Sequence, residues 1–333
     1  MTQPARQRRE AADTLSLLHQ HLSAQLQRCE ERAREVVLGG DESTTQLLSP
    51  ALRRGGKKIR PILVLLSSDA FHGPTGPAIE VATAAELIHM ATLLHDDVVD
   101  NAATRRGNPT LHSVWGNRLA VLGGDYVLAQ ALQLLLASGD LRLVRAMAST
   151  VALMGEGEIM QTFRLYDTES GEDDYFACIR RKTAVLMSCC CEMGGLVAGA
   201  PEPAVQSLAA YGMAVGMAFQ VVDDLLDYVG DQATVGKPVA SDLLEGNLTL
   251  PVIHAMRGRD GDWIRAMVEE RSLTPERVAQ VAEAVRRNGS LDYAYRVAEG
   301  FVREALAAVQ QVPASPTTEW LKSLATYLLS RDY

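Results

Sequence analysis

Twice in its 333 residues the chain follows an apolar stretch with three aspartates spaced Asp-Asp-x-x-Asp. The first set, Asp96-Asp97-Val98-Val99-Asp100, follows Glu86 to Leu94; the second, Asp223-Asp224-Leu225-Leu226-Asp227, follows Met217 to Val222. On a helix, residues four apart share a face with β-carbons about 5–6 Å apart. Asp96 with Asp100, and Asp223 with Asp227, therefore form same-face carboxylate pairs. Two bare charges at that separation repel by about 3 kcal/mol at an effective dielectric of 20, so any fold that buries the preceding apolar run has to supply a cation at its end. One such cluster alone reads as a solvated acidic face. Two, each following a run that belongs in a core, read as a pair of metal-binding helix ends. Oxygen donors with no Cys or His cluster nearby suit a hard cation such as Mg²⁺, which takes one or two carboxylates and completes its shell with water and phosphate. The expected arrangement is two facing acidic helices that grip a diphosphate through bridging metals.

Helical spacing brackets the chain, at Leu15, Leu18, Leu22 and Leu26 near one end and at Val297, Phe301, Ala305 and Val309 near the other. Between them, Ala- and Leu-rich segments are broken at Gly39-Gly40, Pro50, Gly55-Gly56, Gly73-Pro74, Gly107 to Pro109, Ser138-Gly139, Ser170-Gly171, Pro201 to Pro203 and Gly258, and no sustained β-branched alternation intervenes. The reading is an all-α fold of roughly a dozen helices, with residues 1–12 a solvated tail and 13–333 one domain. Charged residues at 22% beside 47% hydrophobic exclude a disordered or fibrous chain. A formal charge of −9 argues against a non-specific nucleic-acid or anionic-membrane surface. Five cysteines, Cys29, Cys178 and Cys189 to Cys191, lack zinc-ligand spacing and read as buried small hydrophobes of a reducing cytosol, without a disulfide. Apolar stretches such as Val127 to Ala137, interrupted by Gln130 and Gln133, read as too short to cross a bilayer. The start carries no signal-peptide pattern, so the expected location is cytoplasmic.

Cations stand in short clusters. Gly55-Gly56-Lys57-Lys58-Ile59-Arg60-Pro61 joins a flexible pair, three cations and a proline suited to a helix's first turn, where free N–H groups favour anions; alone it reads as a basic loop as readily as an anion site. Arg105-Arg106-Gly107 lies just past Asp100, near enough to return over the same cleft. Lys182-Thr183 and Gly236-Lys237-Pro238 are, alone, solvated or structural. His89, nearly two turns before Asp96, is by default a buried, hydrogen-bonded histidine.

With these in place the sequence resembles the trans-isoprenyl diphosphate synthase (polyprenyl synthetase) family from about residue 40 to its end. The resemblance rests on GGKKIRP, ELIHMATLLHDDVVD, RRG, VLGGD, GEGEIMQ, KTA, FQVVDDLLD and the run from Gly236 to Pro251, in that order. It is strongest to bacterial long-chain, octaprenyl-type members. It implies one all-α domain around a deep central cavity, usually a homodimer. It implies that Asp96, Asp100, Asp223 and Asp227 hold about three Mg²⁺ ions, with Asp97 and Asp224 contributing indirectly. Arg105, Lys182, Thr183, Gln220 and Lys237 would contact the allylic diphosphate. Gly56, Lys57, Arg60, His89 and Arg106 would hold isopentenyl diphosphate. Two departures stand out: Asn247 replaces a frequent lysine, and Arg331-Asp332-Tyr333 lacks a frequent terminal basic residue.

The chemistry so implied is ionisation of an allylic C–O bond, with metal and Arg/Lys contacts stabilising the departing diphosphate, followed by attack of the isopentenyl double bond. A greasy tunnel is required, and helix geometry puts Thr92, Ala91 and Ile88, then Ala85 and Ala84, beneath Asp96. None is aromatic, which suggests a long product. A short-chain synthase is an alternative. A terpene cyclase would carry an Asn/Ser/Glu-type second motif, and a non-catalytic partner subunit would carry eroded acidic motifs; both motifs here are intact.

Overall fold

The computed structural model describes residues 14–52, 56–73, 75–229 and 239–330, almost entirely α-helical. Helices outnumber the expected dozen because short ones such as Ser241–Leu244 and Leu250–Ala255 carry too few residues to show a period. Pro50, read as a break, sits inside the helix Glu42–Leu52, two residues from its end. Two compact units emerge among the described residues: one is Leu18–Ala148 with Cys190–Gln206, the other joins residues 14–17, Ser149–Cys189, 207–229 and 239–330. The helices Leu141–Phe163, Val185–Val197 and Glu202–Val229 contribute residues to both.

In the first unit, Thr75–Val99 is packed by Ser23–Val37, Ile59–Asp69 and Asn117–Ala137. Its buried residues, Ala78 through Asp97, cover most of its circumference, as an apolar helix at the centre of a bundle requires. Small residues let its neighbours approach: a Cβ on Gly194 would lie 2.5 Å from the Val64 carbonyl oxygen. Pro61 falls in the first turn of Ile59–Asp69, where its missing N–H costs nothing. Leu18, Leu22 and Leu26 are buried as the spacing predicts.

In the second unit, Met217, Val221, Leu225 and Tyr228 of Glu202–Val229 join Val252 and Ile253, Val278 and Val285, and Ala294 and Ala298 in one core. Thr274 and Ser315 cap the helices Pro275–Arg287 and Pro316–Leu328, each with proline at the first position. All five cysteines are free thiols. Four are buried, and burial pushes Cys29 up to about 11.

The reading of the apolar stretches as too short for a bilayer is corrected by length: Thr75–Val99, Asn117–Ala137 and Glu202–Val229 are long and apolar enough to cross one. In the first and third, 61% of the apolar window is buried inside the protein, against 39% in Asn117–Ala137.

One segment of the second unit departs from α geometry. Residues Arg180–Ala184 form a π-helical turn, a rare one-residue insertion found frequently at functional sites. Glycines let two helices close on it: a Cβ on Gly157 would stand 2.7 Å from the Lys182 nitrogen, and one on Gly216 would stand 2.5 Å from the Ala184 Cα. Alanine is the better helix former by about 1 kcal/mol, but displacing packed backbone costs about 1–3 kcal/mol, so the clash wins. Gly216→Ala should lower the denaturation midpoint, whereas Gly155→Ala, with nothing within 4 Å of its Cβ, should raise it. Equal shifts in chemical denaturation would refute the close-approach account.

Candidate active site

Thr75–Val99 delivers the first aspartates. Asp97 is wholly buried, and its carboxylate pairs with the Arg105 guanidinium. Asp96 is half-buried and Asp100 exposed. Arg105 lies in a two-residue hairpin, Thr104–Arg105 paired with Asn108–Pro109. Its turn residues Arg106 and Gly107 both take positive φ, 51° and 74°, which matches the twist of a tight antiparallel turn and explains the glycine. A Cβ on Gly56 would lie 2.9 Å from Arg106 Nη1, so the Gly-Lys-Lys loop and the Arg-Arg-Gly turn meet.

Lys58 donates to Glu86 Oε1 at 3.1 Å, leaving Lys57 as the exposed member of that pair. Half-buried His89 senses Arg60, Arg106, Arg105 and Lys58. Burial first, then those cations, hold its imidazole well below its usual range. The structure thus gathers Gly56, Arg60, His89, Arg105 and Arg106 into one basic neighbourhood. Of the expected tunnel positions, Ile88 and Ala91 are buried, and Thr92 is half-buried with its hydroxyl donating to the His89 carbonyl at 2.9 Å.

The second set is built differently. Asp224 is buried and receives the Tyr175 hydroxyl at 2.5 Å and the Gln220 amide at 2.8 Å. Burial, then the neighbouring Asp242, push the Asp224 carboxyl above its usual range, against the two hydrogen bonds; burial and Asp224 push the Tyr175 phenol up. Asp223 and Asp227 are half-buried. Asp227 caps the helix Ser241–Leu244, accepting from the Ser241 N–H at 3.1 Å, the Ser241 hydroxyl at 2.8 Å and the Asp242 N–H at 3.1 Å. Its oxygens keep further lone-pair capacity.

The π-turn aims Lys182 at Glu158, 2.8 Å away, and at Gln161, 2.6 Å away, while Thr183 donates to the Gln220 oxygen at 2.8 Å. A cavity of about 160 Å³ is lined by Gln161, Lys182, Thr183, Gln220, Asp224 and Asn247, among others. Lys237 lies outside the described residues. Sequence reasoning missed Tyr175, and gave no role to Glu158 or Asp242. A signal for the last two existed, since both stand in segments that carry the family resemblance; for Tyr175 none did.

Among the described residues no group of three or more His, Cys, Asp or Glu forms a closed metal cage. Paired carboxylates with oxygen donors only still fit Mg²⁺, which takes few protein ligands and leaves places for phosphate.

Comparison with known proteins places the chain in a family. Residues 41–285 match the polyprenyl synthetase family. The chain is 37% identical over 319 residues to heptaprenyl diphosphate synthase component 2 of Geobacillus stearothermophilus, covering 96% of this chain and 99% of that protein. It is 37% identical over 281 residues to octaprenyl diphosphate synthase of Escherichia coli, covering 84% and 87%. A crystal structure of polyprenyl synthase from Caulobacter crescentus, complexed with calcium and isoprenyl diphosphate, superposes with a TM-score of 0.90 at 30% identity, covering 95% and 98%.

His89 yields a stability prediction with a definite sign. Its folded pKa is depressed, so its contribution is present above the unfolded value of about 6.5 and is lost as pH falls below that. The melting temperature should drop between about pH 7 and pH 5, and His89→Gln should flatten that drop. Identical slopes would refute the buried, neutral imidazole.

Proposed function

The chain belongs to the polyprenyl synthetase family, and on that footing we propose that it is a Mg²⁺-dependent prenyltransferase. It condenses isopentenyl diphosphate with an allylic prenyl diphosphate to give a long-chain all-trans polyprenyl diphosphate, of a kind suited to a quinone side chain. The observation that carries this is the state of the two acidic sets: both are whole, and in each the middle aspartate is buried on a protein partner. The machinery that a non-catalytic relative would lose is kept and supported.

In this proposal Asp96 with Asp100, and Asp223 with Asp227, hold the Mg²⁺, whose chemistry when bound is to neutralise charge on the departing diphosphate. Arg105, fixed by Asp97, and Lys182, fixed by Glu158 and Gln161, direct cations at the allylic diphosphate. Thr183 and Gln220 add hydrogen bonds to it, and Lys237 a further cation. The allylic C–O electron pair leaves with the diphosphate. The isopentenyl double bond then attacks the allylic carbon, and the proton lost restores the double bond and passes to the released diphosphate. Gly56, Lys57, Arg60 and Arg106 hold the isopentenyl diphosphate, and His89, kept neutral, donates an N–H there without adding charge. The full domain, residues 13–333, acts in the cytoplasm as a homodimer.

A second reading has its own support. The Geobacillus relative is named as component 2 of its synthase and is matched over nearly its whole length, so this chain working with a second component is the alternative assembly.

The deciding experiment incubates the purified chain alone with Mg²⁺, farnesyl diphosphate and labelled isopentenyl diphosphate, then sizes the products. Elongated product supports the single-chain enzyme, and product that forms only after another component is added supports the second reading. Asp96→Ala should lower turnover on the order of a hundredfold or more; undiminished turnover in saturating Mg²⁺ refutes the metal assignment. Thr92→Phe should shorten the product. Ala91→Tyr should shorten it with a loss of stability from overpacking of about 1–3 kcal/mol, because Ala91 is already buried. An unchanged product spectrum from both would remove these positions from the tunnel wall.

A further inference from the structure

Asp224 is not exposed enough to serve as its neighbours do. It is 4% exposed, and its two oxygens are taken by different donors, Oδ2 by the Tyr175 hydroxyl at 2.5 Å and Oδ1 by the Gln220 amide at 2.8 Å. The Gln220 oxygen in turn accepts from Thr183 at 2.8 Å. This chain of bonds fixes the orientation of the Gln220 amide, since only its NH₂ side can face a carboxylate. It runs from the π-turn, which carries Lys182 and Thr183, through Gln220 to the acidic helix, and ends on the helix Glu172–Ile179 at Tyr175. Tyr175 is itself buried, at 7% exposure, and its ring packs edge-on against Phe176, with centroids 5.4 Å apart. The hydroxyl is thus delivered by a buried ring on a helix. A contact of 2.5 Å to a carboxylate lies in the range of charge-assisted hydrogen bonds, about twice as strong as neutral ones.

We infer that Tyr175 is a positioning residue: by binding Asp224 into the protein it fixes the rotation of the second acidic set, so that Asp223 and Asp227 rather than Asp224 are presented to Mg²⁺, and it holds Lys182 and Thr183 in register with them. The inference rests on the proposed function. Without the hydroxyl, Asp224 keeps one donor of two and becomes free to compete for the ion in a non-productive geometry.

The test is Tyr175→Phe, read in two ways. Melting temperature is followed as Mg²⁺ is titrated in the presence of inorganic pyrophosphate, and turnover is measured against Mg²⁺. The expected result is a Mg²⁺ midpoint about tenfold higher in both assays, the scale of one hydrogen bond to a charged group, with kcat at saturating Mg²⁺ within about threefold of wild type. A lower kcat with an unmoved midpoint would mean a merely structural role and overturns the inference, as does no change at all. If Tyr175→Phe fails to fold, 3-fluorotyrosine incorporated at position 175 preserves the packing. Its ¹⁹F resonance should move with the thermal-shift midpoint as Mg²⁺ and pyrophosphate are added, and a resonance that stays fixed at saturation overturns the inference. A wild-type protein that shows neither a Mg²⁺-dependent thermal shift nor elongated product would defeat the proposed function itself, an outcome distinct from a wild-type shift that Tyr175→Phe shares.

Discussion

Three like charges within two turns of helix are tolerable only when each has somewhere to go, and that constraint governs both acidic sets. In each, the middle carboxylate is withdrawn into the protein, which lowers the crowding on the outer pair without removing charge from it. The means differ. Asp97 meets a guanidinium and becomes the buried half of an ion pair whose arginine stays partly exposed. Asp224 meets neutral donors, a phenol and an amide. Hydrogen bonds satisfy its oxygens but do not cancel its charge, so with Asp242 near, its carboxyl stays above the usual range. The first set carries its own cation; the second depends more heavily on one from outside.

Backbone proximity does comparable work around Lys182. A π-turn adds a residue to the helical count, so consecutive side chains that would lie about 100° apart on one regular helix are redistributed. Lys182 reaches Glu158 and Gln161 on one side while Thr183 reaches Gln220 on the other. Such a bulge widens the helix locally, and Gly157 and Gly216 are the positions at which the neighbours accommodate it. A lysine held by both a carboxylate and an amide has little rotamer freedom left to lose when an anion binds.

This explains what the sequence could and could not disclose. The all-α architecture was legible because long periodic runs such as Leu18, Leu22 and Leu26 bury as their spacing demands. The same-face aspartate pairs were legible because i, i+4 geometry is local. The proximity of Gly56 to Arg106 was suggested only through a family pattern, since nothing in residue spacing forces two distant loops together. Tyr175 was invisible for a sharper reason. It lies seven positions before Lys182, on a segment whose helical phase is shifted by the π-turn, so extrapolating a regular helix from either end misplaces it relative to Asp224. Asp227 was read as a metal ligand alone; its capping of Ser241–Leu244 depends on a four-residue helix too short to announce itself.

The electrostatics bear on an apparent conflict between an acidic chain and the anionic substrates proposed for it. A formal charge of −9 gives a long-range field that opposes diphosphates, and screening at physiological salt limits that field to about 8 Å. Affinity then depends on the local potential. Several cations are already balanced at short range: Lys58 by Glu86, Arg105 by Asp97, Lys182 by Glu158. Yet His89 registers a net positive surround, for after burial it is Arg60, Arg106, Arg105 and Lys58 that resist its protonation. An imidazole held neutral by burial and by these four cations marks a place where a further positive charge is disfavoured. Under the proposed function, Mg²⁺ would sit with the carboxylates for the same reason that a diphosphate would sit near His89, and segregation of the two charge types would let an acidic chain receive an anion.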